Sequence, residues 1–359
     1  MTSERVPEVD LLRFVAAAAV VAYHYTFRPL VAGVGDSTLF APLSEVTQFG
    51  YLGVDLFFLI SGFVILWTAH GQRPRQFVAS RLLRLFPSFW AALIVSLAFI
   101  AWLRPPVPRP WTLLGNLTML PGYAHVDPVS QVYWTLALEI KFYFYIWLLL
   151  LTRQLGRIET WLTVWLAAAT VCQWYPDSTV LCSLVIYPFG PLFIAGCLLF
   201  LVFRSGWTRG RALRVVWALL VACAAAAHNV PGFIPGASRL DRLMAASTLV
   251  VWFALMTTVA SRRLRIGAPA LLIWLGSLTY PLYLVHERVG RLVWSATEGR
   301  LSVATRLVLI VVLAGVFSLL IAEIVERRLV RRLKRTAFVS RVMDSRSQIP
   351  ARPELALPD

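Results

Sequence analysis

A chain of 359 residues that is 58% hydrophobic, with a mean hydropathy of +0.70, is too apolar for an ordinary soluble domain. Only 14% of its residues are charged, yet the formal net charge is +16, an excess that in a soluble protein would suggest nucleic acid. Here the basic residues fall in short clusters between apolar runs, as the positive-inside rule produces, and no stacking-and-basic groove pattern accompanies them. The composition therefore reads as an integral membrane protein that binds no nucleic acid.

Ten apolar runs follow one another: about 11–27, 50–69, 82–103, 132–152, 159–175, 180–203, 213–228, 240–260, 270–289 and 303–326. All are expected to be helices, because every backbone polar group in lipid needs a partner within its own segment. The expected fold is an all-α, polytopic bundle of about ten transmembrane helices in the cell (cytoplasmic) membrane. Basic residues concentrate in alternate loops: Arg73, Arg75 and Arg81; Arg153 and Arg157; Arg204, Arg209 and Arg211; Arg262, Arg263 and Arg265; then the tail. The intervening loops are sparser, with Arg28, then Arg104 and Arg109, none near Asp177, then Arg239, then Arg288, Arg291 and Arg300 diluted by Glu287 and Glu298. The first set belongs inside, so both termini are expected to be cytoplasmic.

Residues 1–335 read as one membrane domain and 336–359 as a short cytoplasmic tail without order. The run Arg327-Arg328-Leu329-Val330-Arg331-Arg332-Leu333-Lys334-Arg335 continues the last helix to the inner surface and faces phospholipid. In the outer loop 104–131, Trp111-Thr112-Leu113-Leu114-Gly115-Asn116-Leu117 suits an interfacial or re-entrant turn. Cys172, Cys182, Cys197 and Cys223 have no metal-ligand spacing; they read as small buried hydrophobes, with a Cys172–Cys182 disulfide across Tyr175-Pro176-Asp177 as the alternative. No cleavable signal segment is evident, and no internal repeat.

Against this apolar background the ionisable residues stand out, since charge inside a membrane is expensive. Arg13 and His24 lie eleven positions apart with only uncharged residues between them. At about 100° per residue they leave the same helix face, roughly 16 Å apart along the axis. With the first run directed outward, Arg13 sits near the inner face and His24 near the outer. Asp55 falls about 7 Å below the outer end of the second run and Glu139 roughly 10 Å below that of the fourth. His286 ends the ninth near the outer side. Four ionisable groups from four helices thus share the outer half. Asp55 either caps its helix or carries chemistry; His286 is either interfacial structure or catalytic; Glu139 is too deep for a cap. Lys141, about 200° around from Glu139, does not share its face. Ser61-Gly62 offers a nucleophile or, more simply, small-residue helix packing. On the inner side Arg81 and Arg84 are i,i+3 neighbours in Arg81-Leu82-Leu83-Arg84-Leu85-Phe86-Pro87, either topology anchors or an anion clamp with Arg13 at similar depth.

These segments taken in order resemble the acyltransferase family 3 pattern: the Arg13-to-His24 spacing; Gly53-Val54-Asp55-Leu56-Phe57-Phe58-Leu59-Ile60-Ser61-Gly62-Phe63; the Arg81–Pro87 segment; Trp134-Thr135-Leu136-Ala137-Leu138-Glu139-Ile140-Lys141-Phe142-Tyr143; and Thr279-Tyr280-Pro281-Leu282-Tyr283-Leu284-Val285-His286. The resemblance covers runs one to four closely, run nine less so, and the middle by hydropathy alone. Thr135 stands where serine is commoner. The resemblance implies a membrane O-acyltransferase that takes an acyl group, usually acetyl from cytoplasmic acetyl-CoA, to a hydroxyl on a cell-surface glycan or small natural product. It implies Arg13 and His24 as the signature pair, Arg81 and Arg84 as a second arginine motif, and Glu139 as the acid of the fourth run. Some relatives carry a fused outer esterase-like domain. None is seen here, so the chain is expected to act alone or with a separate partner.

The expected mechanism has Arg81, Arg84 and Arg13 holding acyl-CoA, with His24 as general base on the acceptor hydroxyl, oriented or charge-balanced by Glu139 or Asp55. A transient acyl-histidine is the variant, and no metal is required. The expected acceptor is a surface or lipid-linked carbohydrate, with a macrolide-type metabolite hydroxyl second. A proton-coupled secondary transporter is the rival from another class, disfavoured by the absence of repeats and of paired broken helices.

Overall fold

The computed structural model describes residues 6–31, 37–103, 106, 108–175 and 179–336. The readings at Arg104, Pro176, Asp177 and tail residues 337–359 lie outside the described residues. A helix lies along each of the ten apolar runs: α1 (Pro7–Ala22), α2 (Gly53–Ala69), α3 (Pro74–Leu103), α4 (Trp134–Leu151), α5 (Ile158–Trp174), α6 (Gly190–Ser205), α7 (Arg209–Phe233), α8 (Arg239–Ala260), α9 (Pro269–Ala296) and α10 (Val303–Leu320). Among the described residues there is no strand. Seven helical stretches are long and apolar enough to cross a membrane: Pro7–Phe27, Phe40–Ala69, Pro74–Leu103, Gln131–Leu151, Arg209–Phe233, Arg239–Ala260 and Val303–Lys334. The other three are α5, of 17 residues, α6, of 16, and α9, which carries His286, Glu287, Arg288 and Arg291 in its second half. Length and composition therefore establish a multi-pass membrane protein with seven candidate crossings.

The core explains why α6 is short yet central. Every residue from Gly190 to Val202 is buried, as expected of a helix that is apolar on all faces. It lies along α2, which is likewise buried almost throughout. Two glycines let the backbones meet. A Cβ on Gly62 would overlap the Phe193 carbonyl oxygen, and one on Gly196 would overlap the Leu59 carbonyl oxygen. Gly62 is thus explained by helix packing. Gly196→Val should separate the two helices at a cost of about 1–3 kcal/mol or more, read as a lowered thermal midpoint in detergent; an unchanged midpoint would contradict the close approach.

Around this pair, α1 packs on α2 and α9, α9 on α3 and α10, and α4 on α2 and α3. The helices α1, α2, α3, α4 and α9 surround the polar interior, while α7 and α8 pack together, with α7 also against α5 and α6.

Three local features differ from the sequence expectation. The expected run 180–203 is broken into a short helix, Thr179–Leu184, and α6. Pro188 has no amide hydrogen to continue the first piece, and Pro191 suits the first turn of the second. The chain leaves α1 through a π-helical turn, Tyr23–Phe27, and α10 through a longer one, Ile321–Leu329, before the basic helix Val330–Lys334. Hydrophobic periodicity does not announce π turns, which often mark functional sites. The segment suited to an interfacial turn forms a regular helix, Pro110–Leu117. All four cysteines are free.

Candidate active site

Among the described residues, two adjoining cavities open within the bundle. The first, about 110 Å³, is lined by Arg13 of α1, Ser61 of α2, Arg81 and Arg84 of α3, Glu139 and Tyr143 of α4, and Tyr280 of α9, with apolar walls from Phe57, Phe58, Ile65, Leu85 and Leu136. The i,i+3 spacing of Arg81 and Arg84 puts both on the inward face of α3, as expected. Their environments differ. Arg84 Nη1 donates to Glu326 Oε2 at 2.8 Å, and Ser88 Oγ donates to the other oxygen at 3.1 Å. Arg81 lies over the Phe77 and Tyr143 rings and has no carboxylate partner among the described residues. Arg13 faces Asp10 at 3.6 Å, one helical turn earlier.

Glu139 Oε1 accepts from Ser61 Oγ at 3.2 Å and from Tyr143 OH at 2.5 Å. It sits with the arginines. This corrects the expected grouping of Glu139 with His24: the acid is five residues into α4, deep enough to fall past the wall that separates the cavities. Lys141 points away from it, to the Ser183 carbonyl oxygen at 2.7 Å.

The second cavity, about 190 Å³, is lined by His24, Arg28, Asp55 and Gln131 together with the aromatic rings of Tyr23, Tyr51, Trp134, Phe189 and Phe233. Tyr51 and Phe233 stack with centroids 4.2 Å apart and planes 4° from parallel. Asp55 is buried at 8% exposure, and its carboxylate has neither an ion pair nor a bond to another side chain among the described residues. α2 starts without a side-chain cap, so Asp55 is not its N-cap. The π turn carries His24 to the cavity's edge, beside His286 of α9.

Val54 and Tyr283 line both cavities. The Tyr283 hydroxyl lies 2.9 Å from Thr135 Oγ1 and donates to the Val132 carbonyl at 3.3 Å, which ties α9 to the start of α4. The arginine cavity and the histidine cavity are thus neighbours across one thin wall. Of the six residues singled out by sequence, Arg13, Arg81, Arg84 and Glu139 meet in the first cavity, and His24 and Asp55 in the second.

Sequence reasoning missed Glu326, Tyr143 and Tyr283. Glu326 was hidden at the edge of a basic tail, although an acid at the end of an apolar run is itself a signal. The two tyrosines carry none, because aromatic residues are ordinary in membrane helices. Among the described residues, no group of three or more His, Cys, Asp or Glu side chains is placed to hold a metal ion.

A basic pocket thus adjoins a pocket that holds a histidine and a carboxylate. The chain belongs to the acyltransferase 3 family, whose acyltransferase domain matches residues 6–326. It is an acyltransferase with multiple membrane helices. It is similar to acyltransferase MdmB of Streptomyces mycarofaciens, 28% identical over 318 residues, covering 80% of this chain and 79% of that protein. It is also similar to the peptidoglycan O-acetyltransferase OatA of Listeria monocytogenes, 24% identical over 160 residues, 38% of this chain and 23% of that one. A third relative is the exopolysaccharide production protein ExoZ of Rhizobium meliloti, 36% identical over 103 residues, 26% of this chain and 32% of that protein. No solved structure matches the chain.

Proposed function

We propose that this membrane O-acyltransferase moves an acetyl group from acyl-CoA to a hydroxyl of a cell-surface or lipid-linked carbohydrate. The observation that carries this reading is the pair of cavities sharing Val54 and Tyr283. Arg81, Arg84 and Arg13 bind the donor phosphates and polar arm, with the planar guanidinium fork matched to phosphate oxygens. The phosphates displace Glu326 from Arg84. The thioester passes along the apolar wall toward His24. An acceptor hydroxyl stands in the second cavity, against aromatic faces that suit a sugar ring, with Asp55 as a hydrogen-bond acceptor for it. His24 takes the hydroxyl proton, the oxygen bonds to the acyl carbon, the C–S bond breaks, and the proton passes to the leaving thiolate. Glu139, held by Ser61 and Tyr143, balances the arginine charge on the donor side; it is not the partner of His24.

The catalytic domain in this reading is residues 1–335, in the cytoplasmic membrane, with ten spans and both ends inside. Reporter fusions after Ala69, Arg209 and Arg335 should read cytoplasmic, and fusions near Asp36 and Asp127 external. An external C-terminus would put the arginine cavity on the wrong side for cytoplasmic acyl-CoA.

A second acceptor reading, a macrolide-type or other small-metabolite hydroxyl, is favoured by the largely aromatic wall of the second cavity. Purified protein with acetyl-CoA, offered methyl glycosides or a macrolide, separates the two. Acetyl ester on the glycoside supports the leading reading; ester on the macrolide alone replaces it.

A further inference from the structure

The His24 ring faces a second imidazole that the mechanism above leaves unused. His286 has no solvent exposure, and its ring centre lies 5.2 Å from that of His24. Its Nδ1 is 2.9 Å from the Tyr283 carbonyl oxygen and 3.1 Å from that of Leu282. A carbonyl oxygen only accepts, so Nδ1 carries the hydrogen and Nε2 of the neutral ring presents a lone pair. That Nε2 is buried and has no hydrogen-bond partner. A buried acceptor left unpaired is costly, and each such group in a folded protein calls for a reason.

The seam between α1 and α9 is fixed at this level. Tyr25 OH donates to the His286 carbonyl at 2.8 Å, and Gly290 makes room for the Tyr25 ring, since a Cβ there would stand 2.6 Å from its Cε1. The neighbouring acid is committed elsewhere: Glu287 accepts from Ser130 Oγ at 2.6 Å and pairs with Arg291 at 3.2 Å. His24 makes no hydrogen bond among the described residues; its ring touches Tyr23 edge-on and His286. It is free to turn. Two imidazoles joined by an in-line N–H···N bond have centres about 5 Å apart, from an N···N distance of about 3 Å plus the distance from each ring centre to its nitrogen. The separation already present is that one.

We infer that His286 is the positioning partner of His24, accepting its N–H at Nε2 during turnover. The inference rests on the reading of His24 as the base. The bond fixes which His24 nitrogen bears the hydrogen and turns the other lone pair toward the acceptor cavity. When that nitrogen takes the hydroxyl proton, His286 Nε2 accepts a stronger, charge-assisted bond from the imidazolium, which is released when the proton goes on to the thiolate. His286 keeps its own proton throughout. A neutral ring suits this place because a carboxylate buried in the same apolar setting would need its own counter-charge.

The test is steady-state kinetics of His286→Met and His286→Gln in detergent, with acetyl-CoA binding and thermal midpoint measured alongside. Met has similar bulk and no comparable acceptor; Gln can set an oxygen near the position of Nε2. His286→Met should lower kcat by at least about tenfold with KM for both substrates and acetyl-CoA binding unchanged, and His286→Gln should recover part of the loss. Wild-type kcat in the Met variant, equal loss in Met and Gln, or a change confined to KM would overturn the inference. Should the Met variant not assemble, Gln against Asn decides, since Asn places its amide near Nδ1: Gln active and Asn inactive supports it, equal rates overturn it. His24→Ala separates the two claims. If it is inactive while His286→Met is normal, only the positioning role fails. If it is fully active, the base assignment has failed first.

Discussion

His24→Ala should abolish acyl transfer while the protein still inserts, folds and binds acyl-CoA. His24 lines the second cavity and not the arginine cavity, so its loss leaves the donor site intact. General-base assistance contributes about 10²–10⁴-fold, which in a slow membrane enzyme leaves nothing above background. The same assignment sets the direction of the pH response. A protonated imidazole cannot accept the hydroxyl proton, so wild-type transfer should fall on acidification. Transfer of radiolabelled acetyl in membranes, with expression matched by immunoblot, reads both effects. Near wild-type transfer by the Ala variant would exclude His24 as base and as acyl carrier.

Arg81→Ala and Arg84→Ala should each weaken acyl-CoA binding without unfolding the bundle. One charge-assisted contact is worth about 1.5–3 kcal/mol, or about ten- to a hundredfold in affinity. The structure separates the two. Arg81 has no carboxylate to give up, so its contact with phosphate is gained in full. Arg84 must first leave Glu326, 2.8 Å away, so its net contribution is smaller. Arg81→Ala should therefore be the more damaging variant, and Glu326→Gln should tighten donor binding. Arg81→Lys should rescue only in part, because an ammonium lacks the planar fork. Isothermal titration with acetyl-CoA reads all four. Unchanged affinity in both Ala variants would reduce these arginines to topology signals.

Helix positions and the contents of the two cavities were differently legible in sequence. The ten apolar runs located ten helices, and seven of the helical stretches are long and apolar enough to cross a membrane, where the backbone must satisfy itself. They erred where prolines cut one run in two and where α1 and α10 widen into π turns. Arg13 and His24 were readable as a pair because α1 is regular up to Ala22, and Arg81 and Arg84 because i,i+3 spacing needs no tertiary knowledge. Depth alone grouped Glu139 with His24, and depth was the wrong guide. Which polar residues meet depends on how α4 packs on α2 and α3 and how α9 packs on α1 and α3, with Tyr283 of α9 bonded to Thr135 of α4. The Glu326–Arg84 ion pair spans most of the chain and had no local signature. The His24–His286 juxtaposition joins the first and ninth runs, which share an outer-side depth in the sequence reading but no pattern that says they touch.

The central claim is that one chain carries an acyl group from a donor held by arginines to a hydroxyl held beside His24. Purified protein reconstituted into liposomes with a lipid-linked sugar, and supplied with radiolabelled acetyl-CoA, tests it most directly. The expected result is label in a base-labile ester on the sugar, one CoA released per ester formed, and neither product with His24→Ala. Thioester turnover no faster than in empty liposomes, or ester formation unchanged in the His24→Ala protein, would contradict it.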